Sequence, residues 1–254
     1  MLLAIDIGNT NIALGGFSDG ELCFVARIST DASKTADEYA SVLLNTLSLY
    51  KTSPESVTGA IVSSVVPALN RAVKDAVRFI CGIDPLLVGP GVKTGIGIHC
   101  DDPASVGADL VCACVAARAI YGSPALVIDM GTATKMSVID QNGSFIGVSI
   151  IPGVNMGLKA LSEGTAQLPQ VSLEEPKSVI GKNTAECMRS GIIYGNASLI
   201  DGMIDRFNAE LGSNPPVVAT GGLAKTIIKH VKHEITVDEN LVLKGLNIIF
   251  NKNN

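Results

Sequence analysis

Asp6-Ile7-Gly8-Asn9-Thr10-Asn11 and Asp129-Met130-Gly131-Thr132-Ala133-Thr134 are two versions of one signal. Each ends a short apolar run, residues 2–7 in the first case and 125–129 in the second. An apolar run of this length bounded by a turn residue predicts a buried strand. The glycine two positions after each aspartate lets the backbone turn tightly and approach a ligand without a Cβ in the way. Both stretches therefore predict a strand that delivers an aspartate to its carboxyl end, followed by a hairpin.

Outward from these stretches the two halves keep matching. Residues 12–17 and 22–28 predict two further strands around the turn Ser18-Asp19-Gly20, and residues 135–139 and 145–151 do the same around Asp140-Gln141-Asn142-Gly143. A shift of 123 positions lays Asp6-Ile7-Gly8-Asn9 on Asp129-Met130-Gly131-Thr132 and Gly20 on Gly143 without a gap. Such a restart marks an internal duplication. Helices are expected over 35–49, 70–81, 105–121, 155–162, 184–211, 223–231 and 241–250, and further strands over 58–66, 85–88 and 217–220. Strands followed by helices, twice over, give an α/β class with two domains of similar fold, 1–122 and 123–254, divided near Gly122-Ser123-Pro124. The helix over 184–211 carries Ile192, Ile193, Leu199, Ile200, Met203 and Ile204 on more than one face, which reads equally as core or as a subunit interface.

Composition narrows the function. Of the 254 residues, 47% are hydrophobic and 17% charged, and mean hydropathy is +0.38, which suits buried parallel strands. No run reaches the ~20 apolar residues of a membrane helix, so no membrane partner is expected. The first residues lack the basic head and cleavage site of a secretion signal, and the expected location is the cytoplasm. The six cysteines form no CxxC pair, which fits reduced thiols in that compartment. A net charge of −5, no Lys/Arg run, 4% aromatics and no Trp weigh against nucleic acid. A polyanion such as ATP would have to be held by backbone amides and a divalent cation.

The candidate sites follow from residue type and place. The first hairpin offers amide and hydroxyl donors around Gly8 and a carboxylate, Asp6, for a hydrated Mg²⁺, although an Asx-turn joining two strands has the same sequence. The second repeats that logic. No GxxxxGK[ST] and no GxGxxG opening a helix occurs, so neither the P-loop nor the dinucleotide fold applies. Thr220-Gly221-Gly222 lies between a strand and a helix, where it serves either as a nucleotide contact or as a helix-capping turn. Asp109 stands early in a helix, as a charge opposing the dipole or as a general base toward an alcohol.

These motifs stand in one order with several others: Ser63-Ser64-Val65-Val66-Pro67, Pro103-Ala104-Ser105-Val106-Gly107-Ala108-Asp109, Ile151-Pro152-Gly153, Thr165-Ala166-Gln167-Leu168-Pro169 and Ser190-Gly191. As a series covering nearly the whole chain, they resemble the type III pantothenate kinases of the actin-like ATPase and sugar kinase superfamily. The resemblance implies two ribonuclease H-like domains in an actin-like kinase arrangement and a homodimer. It implies ATP-dependent phosphorylation of the primary hydroxyl of pantothenate, the first step of coenzyme A biosynthesis. Carried over by position, it assigns Asp6, Ile7, Gly8, Asn9, Thr10, Asn11, Ile12 and Ala13 to the ATP phosphate loop. Gly131, Thr132, Gly221 and Gly222 add ATP contacts. Asp6 holds Mg²⁺ through water, and Asp129 binds a monovalent cation, K⁺ or NH₄⁺. Asp109 is the proton acceptor, and Cys100, Gly107, Ala108, Asp109, Leu110 and Thr184 line the pantothenate site.

Three positions depart from the family pattern: Leu110 where Arg is usual, Cys100 where Tyr is usual, and Lys135 where the second loop usually has Thr. Loss of Arg removes a cation for the pantothenate carboxylate, and loss of Tyr removes an apolar wall. Two other readings accompany the main one: a kinase of a different small alcohol, and a catalytically weak family member acting as a regulator.

Overall fold

The structure is a computed structural model describing residues 1–254. The chain forms two compact units, Met1–Ile120 with Leu241–Asn254, and Tyr121–Asn240.

The first unit opens with β1 (Leu2–Ile7), β2 (Asn11–Ser18) and β3 (Glu21–Ser29), then α1 (Ala36–Leu49), β4 (Gly59–Ser64), α2 (Pro67–Cys81), β5 (Leu86–Leu87) and α3 (Ala108–Tyr121). Its sheet runs β3-β2-β1-β4-β5, antiparallel from β3 to β1 and parallel from β1 to β5. Leu3, Ile5 and Ile7 alternate along β1 and pack with Ile12, Leu14, Val62 and the α1 and α2 residues Tyr39, Leu43, Leu47, Val73 and Val77. Fully burying each such side chain stabilises the fold by about 1.5–3 kcal/mol. A capping box of Thr35 and Glu38 starts α1. Helix α2 starts three residues earlier than the sequence predicts, because Pro67 occupies its first turn, where a missing N–H is harmless. Helix α3 starts later than predicted, since residues 103–105 form a separate 3₁₀ turn.

The second unit repeats the plan with β6 (Ala125–Met130), β7 (Ala133–Ile139), β8 (Phe145–Pro152), α4 (Val154–Glu163), α5 (Thr184–Leu211), β9 (Val217–Thr220), α6 (Ala224–Ile228) and β10 (Thr236–Val237). Its sheet order, β10-β9-β6-β7-β8, is the first sheet read from the other edge. Strand β6 is β1 displaced by the predicted 123 positions, and both bury every residue fully except the aspartate. Gly20 and Gly143, matched by that shift, both take positive φ in their turns. The apolar faces of α5 belong to this unit's core: Ile192, Ile193, Ala197, Ile200 and Ile204 pack with Leu126, Ile128 and Met130. Strand β10 was not anticipated; its two residues carry too little pattern to register.

The chain ends in α7 (Leu241–Asn253), which packs on β1, β2 and β4 of the first unit. This corrects the expected division into 1–122 and 123–254, for residues 241–254 group with the N-terminal unit. Leu241, Leu246 and Ile249 are buried in the contact, and the Phe250 ring lies over Gly59. Helix α7 approaches α3 so closely that a Cβ on Gly245 would stand 1.9 Å from the Cys112 carbonyl oxygen. No helix is long and apolar enough to cross a membrane.

Candidate active site

In the first unit the chemistry gathers where β1 and β4 end. Asp6 and Ser63 are direct partners across the parallel β1–β4 ladder. The β1–β2 tip is closed by the Gly8 N–H donating to the Asn11 carbonyl at 3.0 Å. Thr30 braces it, its hydroxyl donating to the Gly8 carbonyl at 2.6 Å and its N–H to the Thr10 carbonyl at 3.0 Å. The side chains of Asn9, Thr10 and Asn11 are exposed at this tip, and Asp6 is half-buried behind them. Hard oxygen and amide donors around one carboxylate suit a phosphate chain with a hydrated Mg²⁺, which keeps most of its waters. No cluster of three or more His, Cys, Asp or Glu side chains forms a metal cage anywhere in the protein, so such an ion would be held chiefly by water and phosphate.

Asp109 stands in the first turn of α3, 9% exposed, with its Oδ1 accepting the Leu110 N–H at 2.8 Å. The same oxygen lies over Gly107, which also faces Val65 just beyond β4. One helical turn on, Cys112 is fully buried, and burial pushes its thiol well above the ordinary range, with the charges of Asp6 and Asp109 adding to the effect. The Val65 N–H donates to the Ile7 carbonyl at 3.0 Å, and Val65 also faces Gly107 beside Asp109, which puts the candidate base and the candidate metal ligand in one neighbourhood of this unit. The buried Ser63 hydroxyl lies beside that thiol without a well-formed hydrogen bond. Sequence reasoning missed Ser63 and Cys112 as members of this cluster. The helical spacing from Asp109 to Cys112 was the available signal, since residues three apart share a face.

Leu110 is buried at 6% exposure, so its side chain belongs to the fold, and its backbone N–H reaches Asp109. Cys100 is half-buried in the segment before α3, and Ala108 is half-buried at the helix start. A cavity of about 490 Å³ in this unit is lined by Thr58, Lys74, Asp84, Phe250 and Asn253. It opens at the start of β4, the far end from Ser63, and so lies away from the aspartates.

In the second unit the equivalent strand ends bring three motifs together. Asp129 pairs with Thr220 across the parallel β6–β9 ladder, and Ala133 with Pro152 across β7–β8. Gly221 takes φ +95° against the Met130 backbone, and the Leu223 N–H reaches the Met130 carbonyl at 3.4 Å. A side chain at Gly221 would collide with that backbone. Gly131, Thr132 and Gly222 are exposed. The buried Thr134 hydroxyl has no partner within the fold. Asp129 is joined to Lys135, Nζ to Oδ2 at 2.8 Å. Thr184 is exposed at the first position of α5, after the N-cap Asn183.

A family model for type III pantothenate kinases matches residues 2–206. The chain belongs to the type III pantothenate kinase family. A type III pantothenate kinase from Moorella thermoacetica is 43% identical over 253 residues, and one from Bifidobacterium animalis subsp. lactis is 42% identical over 254, with full coverage of both chains in each case. Among solved structures, the fold is similar to a conserved protein assigned to the Baf family of transcriptional activators from Campylobacter jejuni, at TM-score 0.63 and 19% identity over 99% of this chain and 98% of that one. It is also similar to component A of the (R)-2-hydroxyglutaryl-CoA dehydratase of Acidaminococcus fermentans, at TM-score 0.59 and 15% identity over 98% and 95%. At those identities the two structures speak for the fold alone, the duplicated actin-like plan.

Proposed function

We infer that this chain transfers the γ-phosphate of ATP to the primary hydroxyl of pantothenate, giving 4'-phosphopantothenate, the first step of coenzyme A biosynthesis. The observation that carries the reading is the full-length match, at 43% identity, to a type III pantothenate kinase. Two features of the first unit support the chemistry: a braced hairpin tip with Asp6 behind it, and Asp109 in the same neighbourhood.

In this reading residues 6–13 form the phosphate loop, and Gly131, Thr132, Gly221 and Gly222 are also assigned to the nucleotide. ATP brings a divalent cation, which Asp6 would hold through water and which would neutralise charge on the transferring phosphoryl group. Asp109 is the proton acceptor. Its Oδ1 is held by the Leu110 N–H at 2.8 Å, which fixes the carboxylate for a hydroxyl approaching the start of α3. Gly107, Ala108, Leu110, Cys100 and Thr184 are assigned to the acceptor. Leu110, being buried, contributes its backbone. The positive charge that the resemblance gives to a free ion at Asp129 is met here by Lys135.

A cytoplasmic homodimer completes the proposal. Ile146 and Ile150 on β8 and Met156 and Leu161 on α4 are exposed apolar side chains of the second unit, available to a second copy.

The decisive experiment is ADP release coupled to a panel of alcohols. Turnover with pantothenate well above that with other alcohols is expected. Turnover with another alcohol and none with pantothenate overturns the acceptor, and no turnover with any of them favours the regulator.

A further inference from the structure

The two aspartates occupy one place in the two repeats, yet their neighbours across the hairpin differ. Asp6 faces Ala13 across β1–β2, whereas Asp129 faces Lys135 across β6–β7. Residues directly opposite on antiparallel strands have closely spaced Cβ atoms, so the lysine stem needs little freedom to bring its ammonium to the carboxylate. It does so at 2.8 Å, with side chains 18% and 16% exposed for Lys135 and Asp129. A pair with that degree of burial is screened by salt far less than an exposed one.

We propose that Lys135 is a built-in cation: its ammonium takes the place at Asp129 that a free K⁺ or NH₄⁺ would occupy, and frees the phosphotransfer reaction from any monovalent cation requirement. The oxygen Oδ2 that would meet a free ion already carries the lysine ammonium. Such an ion would bring a second positive charge to it. The lysine head is a compact ammonium with three donors, the same chemical group as NH₄⁺ on a tether, and a tether holds it at an effective concentration that dilution cannot lower. Its charge offsets Asp129 beside the exposed Gly131-Thr132 tip, so the tip does not repel phosphate. At the other repeat Ala13 contributes no charge, which gives the two hairpins different tasks.

The proposal rests on reading the Gly131-Thr132 tip as a nucleotide contact, and the test separates the two. ATP binding by calorimetry and turnover are measured in tetramethylammonium, potassium and ammonium chloride at one ionic strength. The wild-type constants should agree within about twofold across the three salts. Lys135→Thr should lose roughly tenfold or more in tetramethylammonium and regain it with K⁺ or NH₄⁺, while Lys135→Met, which removes the charge and fills the space, should not recover. Without nucleotide, K⁺ should raise the melting temperature of Lys135→Thr and leave the wild type unchanged. A wild-type response to K⁺ of roughly tenfold or more overturns the proposal, and needs no variant to fold. So does a Lys135→Thr protein as indifferent to K⁺ as the wild type. Absence of ATP binding in every salt instead defeats the nucleotide reading, and the melting comparison then decides the role of Lys135 by itself.

Discussion

Asp6 stands directly opposite Ser63 on the parallel β1–β4 ladder, each one residue from the end of its strand. Asp129 and Thr220 repeat the relationship on β6–β9. Ligands of open α/β sheets bind outside the carboxyl ends of the strands, and both aspartates lie there. Four consequences can be measured.

Asp109→Asn keeps the shape of the α3 start and removes the proton acceptor. The expected loss in kcat is roughly 10²-fold or more, the scale of a lost general base. ATP affinity by calorimetry should stay at the wild-type value. An unchanged kcat takes Asp109 out of the role.

Asp6→Asn removes the carboxylate behind the phosphate loop. The Mg²⁺ concentration needed for half-maximal rate should rise by roughly tenfold or more, since a neutral amide is a poorer partner for a hydrated divalent ion. The Asp109→Asn variant should show no such rise. Identical Mg²⁺ titrations for wild type and Asp6→Asn would remove the phosphate-loop assignment.

Gly245→Val should destabilise the first unit. The added side chain meets the backbone of Cys112, and a backbone cannot swing aside as a flexible side chain can. Overpacking of this kind costs about 1–3 kcal/mol, readable as a lower urea midpoint. The same substitution at Gly191, where nothing stands within 4 Å, serves as the control for the lost glycine.

Cys112 should make the protein sensitive to alkali. Its thiol is held well above its ordinary value of 9.0, by burial first and then by Asp6 and Asp109. Above that ordinary value the unfolded chain releases the proton while the folded one keeps it. Stability is therefore intact below about pH 9 and falls as pH rises, by up to about 1.4 kcal/mol per pH unit. The difference in unfolding free energy between pH 8 and pH 10 should be larger for wild type than for Cys112→Ala. Equal differences would mean that the thiol does not matter.

The duplication was legible because its signals are local. Apolar runs ending in Asp-x-Gly and positive-φ glycines in matching turns need no knowledge of the rest of the chain, and β1 and β6 follow them residue for residue. The place of α7 was not legible. Its apolar residues say that one face is covered and nothing about which sheet covers it, and the contact of Gly245 with Cys112 spans more than half the sequence. At the site, hairpin tips could be read from turn chemistry. The neighbourhood of Asp6, Ser63, Asp109 and Cys112 could not, because it comes from strand ends and a helix start meeting in space. Lys135 was visible as a departure, but its ion pair with Asp129 needed the register of β6 against β7.

The return of α7 to the first sheet sets a timetable for synthesis. The middle of the chain, residues 121–240, is contiguous, and a ribosome delivers all of it before the last helix. The N-terminal half, though made first, lacks the cover for one side of β1 and β4 until Leu241, Leu246 and Ile249 emerge. Domains usually mature in the order of translation. Here the later-made residues 121–240 have all their own unit's chain to hand first, and the half bearing Asp6 and Asp109 waits for residues 241–254 to follow them.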